Sequence, residues 1–141
     1  MSITSAVARL RARPALPPGL VGVLGIAAVV YVSQVDPNEP GHYPTCPWLW
    51  LTGTYCPGCG TLRMLHAVTH GHFAHGFGLN PLGAVICVWA VVEYGRWTWA
   101  TLTGRPYGSW PRSIYWAWGV VAAIIAYWIV RNLPFGAALA P

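Results

Sequence analysis

Three stretches of this chain are apolar almost without interruption, and the polar residues collect between them. They cover residues 18–35, 81–102 and 113–130, and each meets the roughly 17 to 20 mostly apolar residues that a helix needs to cross a bilayer. Runs of this length are too long for strands, so the pattern predicts three membrane-spanning helices. The third run carries Tyr115, Trp116 and Trp118 at one end and Tyr127 and Trp128 at the other, where amphipathic rings meet the headgroups.

The polar interval between the first two runs has its own pattern. Asp36-Pro37-Asn38-Glu39-Pro40-Gly41 reads as a turn, and looped or extended chain is expected from there to Pro57. After Gly58, Leu62, Leu65 and Val68 share one helical face, while Arg63, His66 and His70 share another. That spacing predicts a helix of about 12 residues ending at Gly71, too short to span and therefore lying at the membrane surface. A second short interfacial piece is expected over residues 73–79, before Asn80-Pro81 opens the next span.

Composition agrees with a membrane protein: of 141 residues, 55% are hydrophobic and 8% charged, and mean hydropathy is +0.48. The net charge of +5 comes from arginines scattered along the chain, without a basic patch, so a nucleic-acid partner is excluded. Arg9, Arg11 and Arg13 precede the first run, and Arg105 and Arg112 separate the second from the third. The positive-inside bias then places the N-terminus in the cytoplasm and the C-terminus outside. The expected organisation is a basic cytoplasmic segment (1–17), a span (18–35), an extracytoplasmic cysteine-bearing segment with an interfacial helix (36–80), a span (81–102), a cytoplasmic loop (103–112), a span (113–130) and an extracytoplasmic tail (131–141). No small-x-small site follows the first run, which reads as an uncleaved anchor in the plasma membrane.

Candidate chemistry lies in the outer segment, where Cys46-Pro47 is followed by Cys56-Pro57-Gly58-Cys59-Gly60. Three readings are open. The first is a structural disulfide, since extracytoplasmic thiols are held oxidised, although three cysteines leave one unpaired. In the second, a zinc knuckle, Cys46, Cys56 and Cys59 act as ligands with His42 or His66 as the fourth. The third is a redox dithiol, in which Cys56 and Cys59 are catalytic and Cys46 is a shuttle. Cys59 is expected at the start of the surface helix, where backbone N–H groups and Arg63 would favour a thiolate.

The remaining polar groups read more simply. His66, His70, His72 and His75 form a solvated interfacial face, with no acid between His42 and Glu93 to act as a base. Glu93 and Arg96, one turn apart in the second span, form an anchoring ion pair. Cys87, inside that span, behaves as a small hydrophobe.

Taken in order, Cys46-Pro47, Leu51-Thr52-Gly53, Cys56-Pro57-Gly58-Cys59-Gly60, Arg63, His70-Gly71 and Asn80-Pro81-Leu82 resemble the signature of a family of short bacterial integral membrane proteins catalogued as a domain of unknown function. The resemblance implies a helical membrane protein with the three-cysteine motif outside, and no established activity or cofactor. Thr61-Leu62 and Met64 depart from it. The function expected is that of an accessory or assembly component of a membrane complex, in contact with the lipid bilayer and other membrane subunits, with a disulfide- or zinc-stabilised cap. The alternative is a membrane thiol-disulfide oxidoreductase using Cys56 and Cys59.

Overall fold

The computed structural model describes residues 16–108 and 113–139, and among these residues every regular element is helical. The orienting residues Arg9, Arg11, Arg13 and Arg112 lie outside them. In order, α1 is Leu16–Gln34, α2 Pro47–Thr52, α3 Thr61–Thr69, α4 Phe73–Leu79, α5 Pro81–Thr103 and α6 Ile114–Arg131, followed by a 3₁₀ helix, η1, at Pro134–Leu139. Pro17–Gln34 and Ile114–Arg131 are each long and apolar enough to cross a membrane. α5 is the longest helix, but Glu93 and Arg96 dilute it, and it reaches the same standard only together with α4, from which it is bent by 112°. The protein is thus all-α, with two to three candidate spans.

Its large apolar side chains point outward. Leu24 and Ile26 on α1, Val88 and Val91 on α5, and Ile114 and Trp118 on α6 are all more than half exposed. A surface of this kind suits hydrocarbon, which competes for no hydrogen bonds because each helix satisfies its own backbone. Apart from Pro18 at the start of α1, the buried residues among those described sit instead at one end of the long helices. Val32 near the end of α1, Met64 and Ala67 on α3, Asn80 before α5 and Arg131 at the end of α6 are all buried. That end forms a cap, in which α3 packs on α1, α4 and α5, and η1 packs on α4 and α6.

The polar interval is more helical than its sequence pattern predicts. Where looped chain is expected up to Pro57, α2 forms, with Pro47 in its first turn and Gly53 closing it in the left-handed region at φ 69°. Proline needs no N–H partner at that position, and glycine pays no steric cost at the other end. The single 12-residue helix expected after Gly58 is shorter, and the chain turns at Gly71. There the Gly71 N–H donates to Val68 O at 3.1 Å and the His72 N–H to Ala67 O at 2.9 Å, closing a Schellman turn that requires the φ of 82° at Gly71. α4 then folds back onto α3.

This reversal decides which face of α3 is buried. Leu62, on the expected apolar face, is 42% exposed, while Met64 and Ala67 are buried beneath α4. The close approach depends on Gly76, where a Cβ would sit 2.9 Å from Val68 Cγ2 and 3.1 Å from Met64 O. Gly76→Ala would gain up to about 1 kcal/mol of helix propensity but lose about 1–3 kcal/mol to overpacking. A lower unfolding midpoint of the detergent-solubilised protein, followed by circular dichroism, is the expected result.

Candidate functional site

The cap brings the three predicted cysteines together. Cys46 precedes α2, which carries the chain away and back so that Tyr55 and Cys56 return beside it. Side chains close this excursion: the Trp48 Nε1–H donates to Thr54 Oγ1 at 3.0 Å, and the Thr52 and Thr54 hydroxyls lie 2.8 Å apart. Pro57 and Gly58 then make the turn to Cys59, whose N–H donates to Cys56 O at 3.1 Å. The Cys46 and Cys56 sulfurs are 3.6 Å apart and the Cys56 and Cys59 sulfurs 3.2 Å. All three sulfurs lie within 4.8 Å of one another, and all three residues are free thiols.

The turn is held from behind by side chains distant in sequence. Arg131, 1% exposed, donates from Nη1 to Cys56 O at 2.9 Å and Pro57 O at 3.4 Å, and from Nη2 to Cys59 O at 3.2 Å. Asn80, fully buried, donates from Nδ2 to Pro57 O, Cys59 O and Thr61 Oγ1 at 3.1, 3.2 and 2.9 Å. Its Oδ1 accepts from the Gly83 N–H at 2.9 Å, capping α5, and from the Tyr127 hydroxyl at 3.1 Å. Asn132 brackets the preceding residue: its Oδ1 accepts from the Tyr55 N–H at 2.8 Å and its Nδ2 donates to Tyr55 O at 2.9 Å. The carbonyls of Cys56, Pro57 and Cys59 are thus all bound, while the three sulfurs remain gathered within 4.8 Å of one another.

The guanidinium is a buried cation with no carboxylate partner among the described residues. Its Nε lacks a hydrogen-bond partner there, and the rings of Tyr127 and Tyr55, 5.2 and 5.9 Å from its central carbon, offset part of that cost. Neither Arg131, Asn80, Tyr127 nor Asn132 is among the sequence-predicted site residues. The available signals were a lone arginine ending an apolar run, which is a functional hint by default in a membrane segment, and an Asn-Pro helix start.

The three thiols are not equivalent. The Leu49 amide draws the acidity of Cys46 to below an ordinary thiol pKa, against a smaller desolvation cost. Burial pushes the Cys59 thiol up to about 12, reinforced by its hydrogen bonding to Cys56. This corrects the expectation of a Cys59 thiolate at a helix start. α3 begins at Thr61, Gly60 occupies the cap position at φ 87°, and desolvation of the sulfur prevails over the pull of the helix.

The other predicted residues are dispersed. His66 faces away from the cysteines, its Nδ1 on Val32 O at 2.8 Å and its Nε2 3.9 Å from Asp36 Oδ1. His42 sits in the exposed loop, 3.8 Å from Glu39. Arg63 is exposed and lines a cleft of about 520 Å³ together with Cys46, Cys59, Tyr43 and Tyr55. Far from the cap, Arg96 Nη1 donates to Glu93 Oε1 at 3.0 Å and Nη2 to Gly108 O at 3.2 Å, while the Tyr107 hydroxyl donates to Glu93 Oε2. Cys87 is half-buried on α5.

Two outcomes are expected. In metal-stripped, reduced protein, iodoacetamide should modify Cys46 first and at a pH below that of an ordinary thiol, with Cys59 still unmodified near pH 9, as read by mass spectrometry. Arg131→Met should strand the carbonyls of the turn at about 1–3 kcal/mol for each group left without a donor. A lower unfolding midpoint and faster alkylation of Cys59 would report that loss.

Neither a curated protein nor a solved structure matches the chain. Residues 46–94, a stretch that contains the three cysteines and Asn80 but not Arg131, match the sequence model of a family described as "Protein of unknown function (DUF2752)".

Proposed function

We propose that the chain is a small accessory or assembly component of a membrane complex, whose extracytoplasmic cap is a zinc site formed by Cys46, Cys56 and Cys59. The convergence of three sulfurs on one point carries this reading. Ligands 2.3 Å from a tetrahedral zinc ion are separated by about 3.8 Å, and the spacings of 3.6 and 3.2 Å lie close to that edge. A disulfide would join two of the sulfurs and leave the third beside it. Three thiolates with one zinc ion carry a single negative charge, which matches the buried Arg131 guanidinium behind them. When bound, zinc supplies cross-linking between the α2 excursion and the Cys56–Cys59 turn, and no redox chemistry. The fourth position is left to water or to a partner, since His42 and His66 have other neighbours.

The topology proposed with it has the N-terminus and residues 103–112 in the cytoplasm, and residues 36–80 and the C-terminal tail outside. What supports it is that the end of α1, the start of α5 and the end of α6 meet in one cap, as three spans of alternating direction require. The exposed aromatic flanks of the long helices support lateral contact with other subunits as well as lipid.

A second reading, a thiol-disulfide oxidoreductase, is favoured by one observation: Cys46 is half-exposed on the cleft and more acidic than an ordinary thiol, beside the Cys56–Cys59 pair. Its thiolate would attack a partner's disulfide, releasing one partner thiolate, and Cys56 would resolve the mixed disulfide by displacing the second.

Metal analysis combined with alkylation separates these readings. One zinc per chain with three protected thiols is expected, and each of Cys46→Ser, Cys56→Ser and Cys59→Ser should lower that stoichiometry. Two thiols gained on reduction, without metal, would exclude the zinc cap. A mixed disulfide trapped in the Cys56→Ser variant would establish exchange. Migration of the native, gently solubilised protein as a lone monomer would remove the case for an accessory subunit.

A further inference from the structure

A cavity of about 280 Å³ lies against α3 and α4, lined by Arg63, His66, His70, His72, His75 and Leu79 and by no acid. Two marks on the backbone fix its depth. The His66 Nδ1–H donates to the carbonyl of Val32, in the last turn of α1, at 2.8 Å. Leu79 is the last residue of α4, directly before the Asn80 cap of α5. The cavity therefore stands where one long apolar helix ends and the next begins, which is headgroup level for a bilayer that these candidate spans enter.

The polar groups in it divide into two kinds. The Arg63 guanidinium makes no hydrogen bond or ion pair with any described residue, and the rings of His72 and His75 have no partner among them either. These three are free to donate to an anion. His66 and His70 are different, because their Nδ1–H groups are taken by Val32 O and His66 O, each at 2.8 Å. Each neutral ring then presents a lone pair at Nε2, which accepts a hydrogen bond and cannot donate one. Asp36, the acid of this region, accepts from the Asn38 N–H at 2.8 Å and the Asn38 Nδ2–H at 2.7 Å and faces His66 Nε2 at 3.9 Å, leaving Arg63 unpaired.

A phosphodiester that carries hydroxyl groups matches both kinds: its oxygens accept from Arg63 in a charge-assisted pair, and its hydroxyls donate to the Nε2 lone pairs. At about 280 Å³ the cavity is near the lower end of small-ligand sites, about 300–1,000 Å³, so it takes a headgroup while acyl chains must leave it. Their path begins one turn deeper. α3 covers Val32, whereas Ala28 and Val29, on the same side of α1, are exposed. Further along, α1 is braced by α5, where the Tyr94 hydroxyl donates to Pro18 O at 2.9 Å and stands over Gly22. The exposed length of α1 between these two contacts is open to an acyl chain.

We propose that this cavity binds an anionic phospholipid with a hydroxylated headgroup, of the phosphatidylglycerol class, its phosphodiester on Arg63, His72 and His75 and an acyl chain against Ala28 and Val29. A free phosphate would use the donors and leave both the lone pairs and the apolar flank below them without partners. The site requires α1 to lie in a membrane and is independent of the cysteine cap, of any metal there, and of which side the cap faces.

The test uses the full chain in detergent, stripped with chelator, with bound lipid read by native mass spectrometry. Phosphatidylglycerol should be retained at least about tenfold more tightly than phosphatidylcholine of the same chains, the measure of about one charge-assisted hydrogen bond. Arg63→Gln should weaken phosphatidylglycerol by about the same factor. Arg105→Gln, which removes an equal charge beyond the other end of α5, should leave it within about twofold of wild type. Inorganic phosphate at the concentration of the lipid should not displace it. An unchanged unfolding midpoint is expected for Arg63→Gln, whose side chain is unpaired, and the comparison of the two lipids on wild-type protein needs no variant. Equal retention of the two lipids would overturn the proposal, and displacement by inorganic phosphate would do the same. Equal losses from Arg63→Gln and Arg105→Gln would also overturn it, as the sign of attraction to net charge alone.

Discussion

The cap depends on one buried cation. Arg131 ends α6 and reaches the carbonyls of Cys56, Pro57 and Cys59, so a span contributed by the C-terminal part of the chain fixes a turn more than seventy residues earlier. Burying a guanidinium without a carboxylate costs several kcal/mol of desolvation. Three carbonyl dipoles, two aromatic faces and the sulfur cluster beyond them are what this cap offers in return. The same contacts engage the backbone carbonyls of the Cys-Pro-Gly-Cys turn, while its thiols differ in exposure, Cys59 being buried and Cys56 half-buried.

Asn80 performs the neutral half of this work. Its amide nitrogen holds the turn while its oxygen caps α5 and accepts from Tyr127 on α6, so one side chain registers the turn against two long helices. A buried polar network of this type is costly when incomplete and rigid when complete. Here Asn80 has all its groups engaged, and Arg131 Nε is the one bare atom of the pair among the described residues. The remainder of the helices differs, since their exposed apolar flanks make few contacts with each other and suit lipid.

Sequence pattern was most informative where a single physical requirement dominates. The long apolar runs appear as helices α1, α5 and α6 with ends close to the expected ones, because crossing hydrocarbon demands helix and length together. It was least informative in the interval from Asp36 to Asn80. There α2 rests on Pro47 and Gly53 acting as start and stop around six residues, too few for periodicity to register. The buried face of α3 was misjudged because α4 folds over it at Gly71, and no property of residues 61–69 alone announces that cover. The same holds for Cys59: a position near a helix start suggests an acidic thiol, yet the element packed against it determines how much water reaches the sulfur.

What the sequence determined by itself is the membrane character, the helical class and the identity of the residues able to do chemistry, since these follow from composition, run length and the presence of Cys46, Cys56 and Cys59. Tertiary structure decided which of those residues meet. It gathered the three sulfurs, turned His66 toward Val32 and Asp36, and brought Arg131 and Asn80 onto the turn. The physical reason is that side-chain proximity in a small helical cap is set by helix ends and reversals such as Gly71, which couple residues with no local periodicity in common.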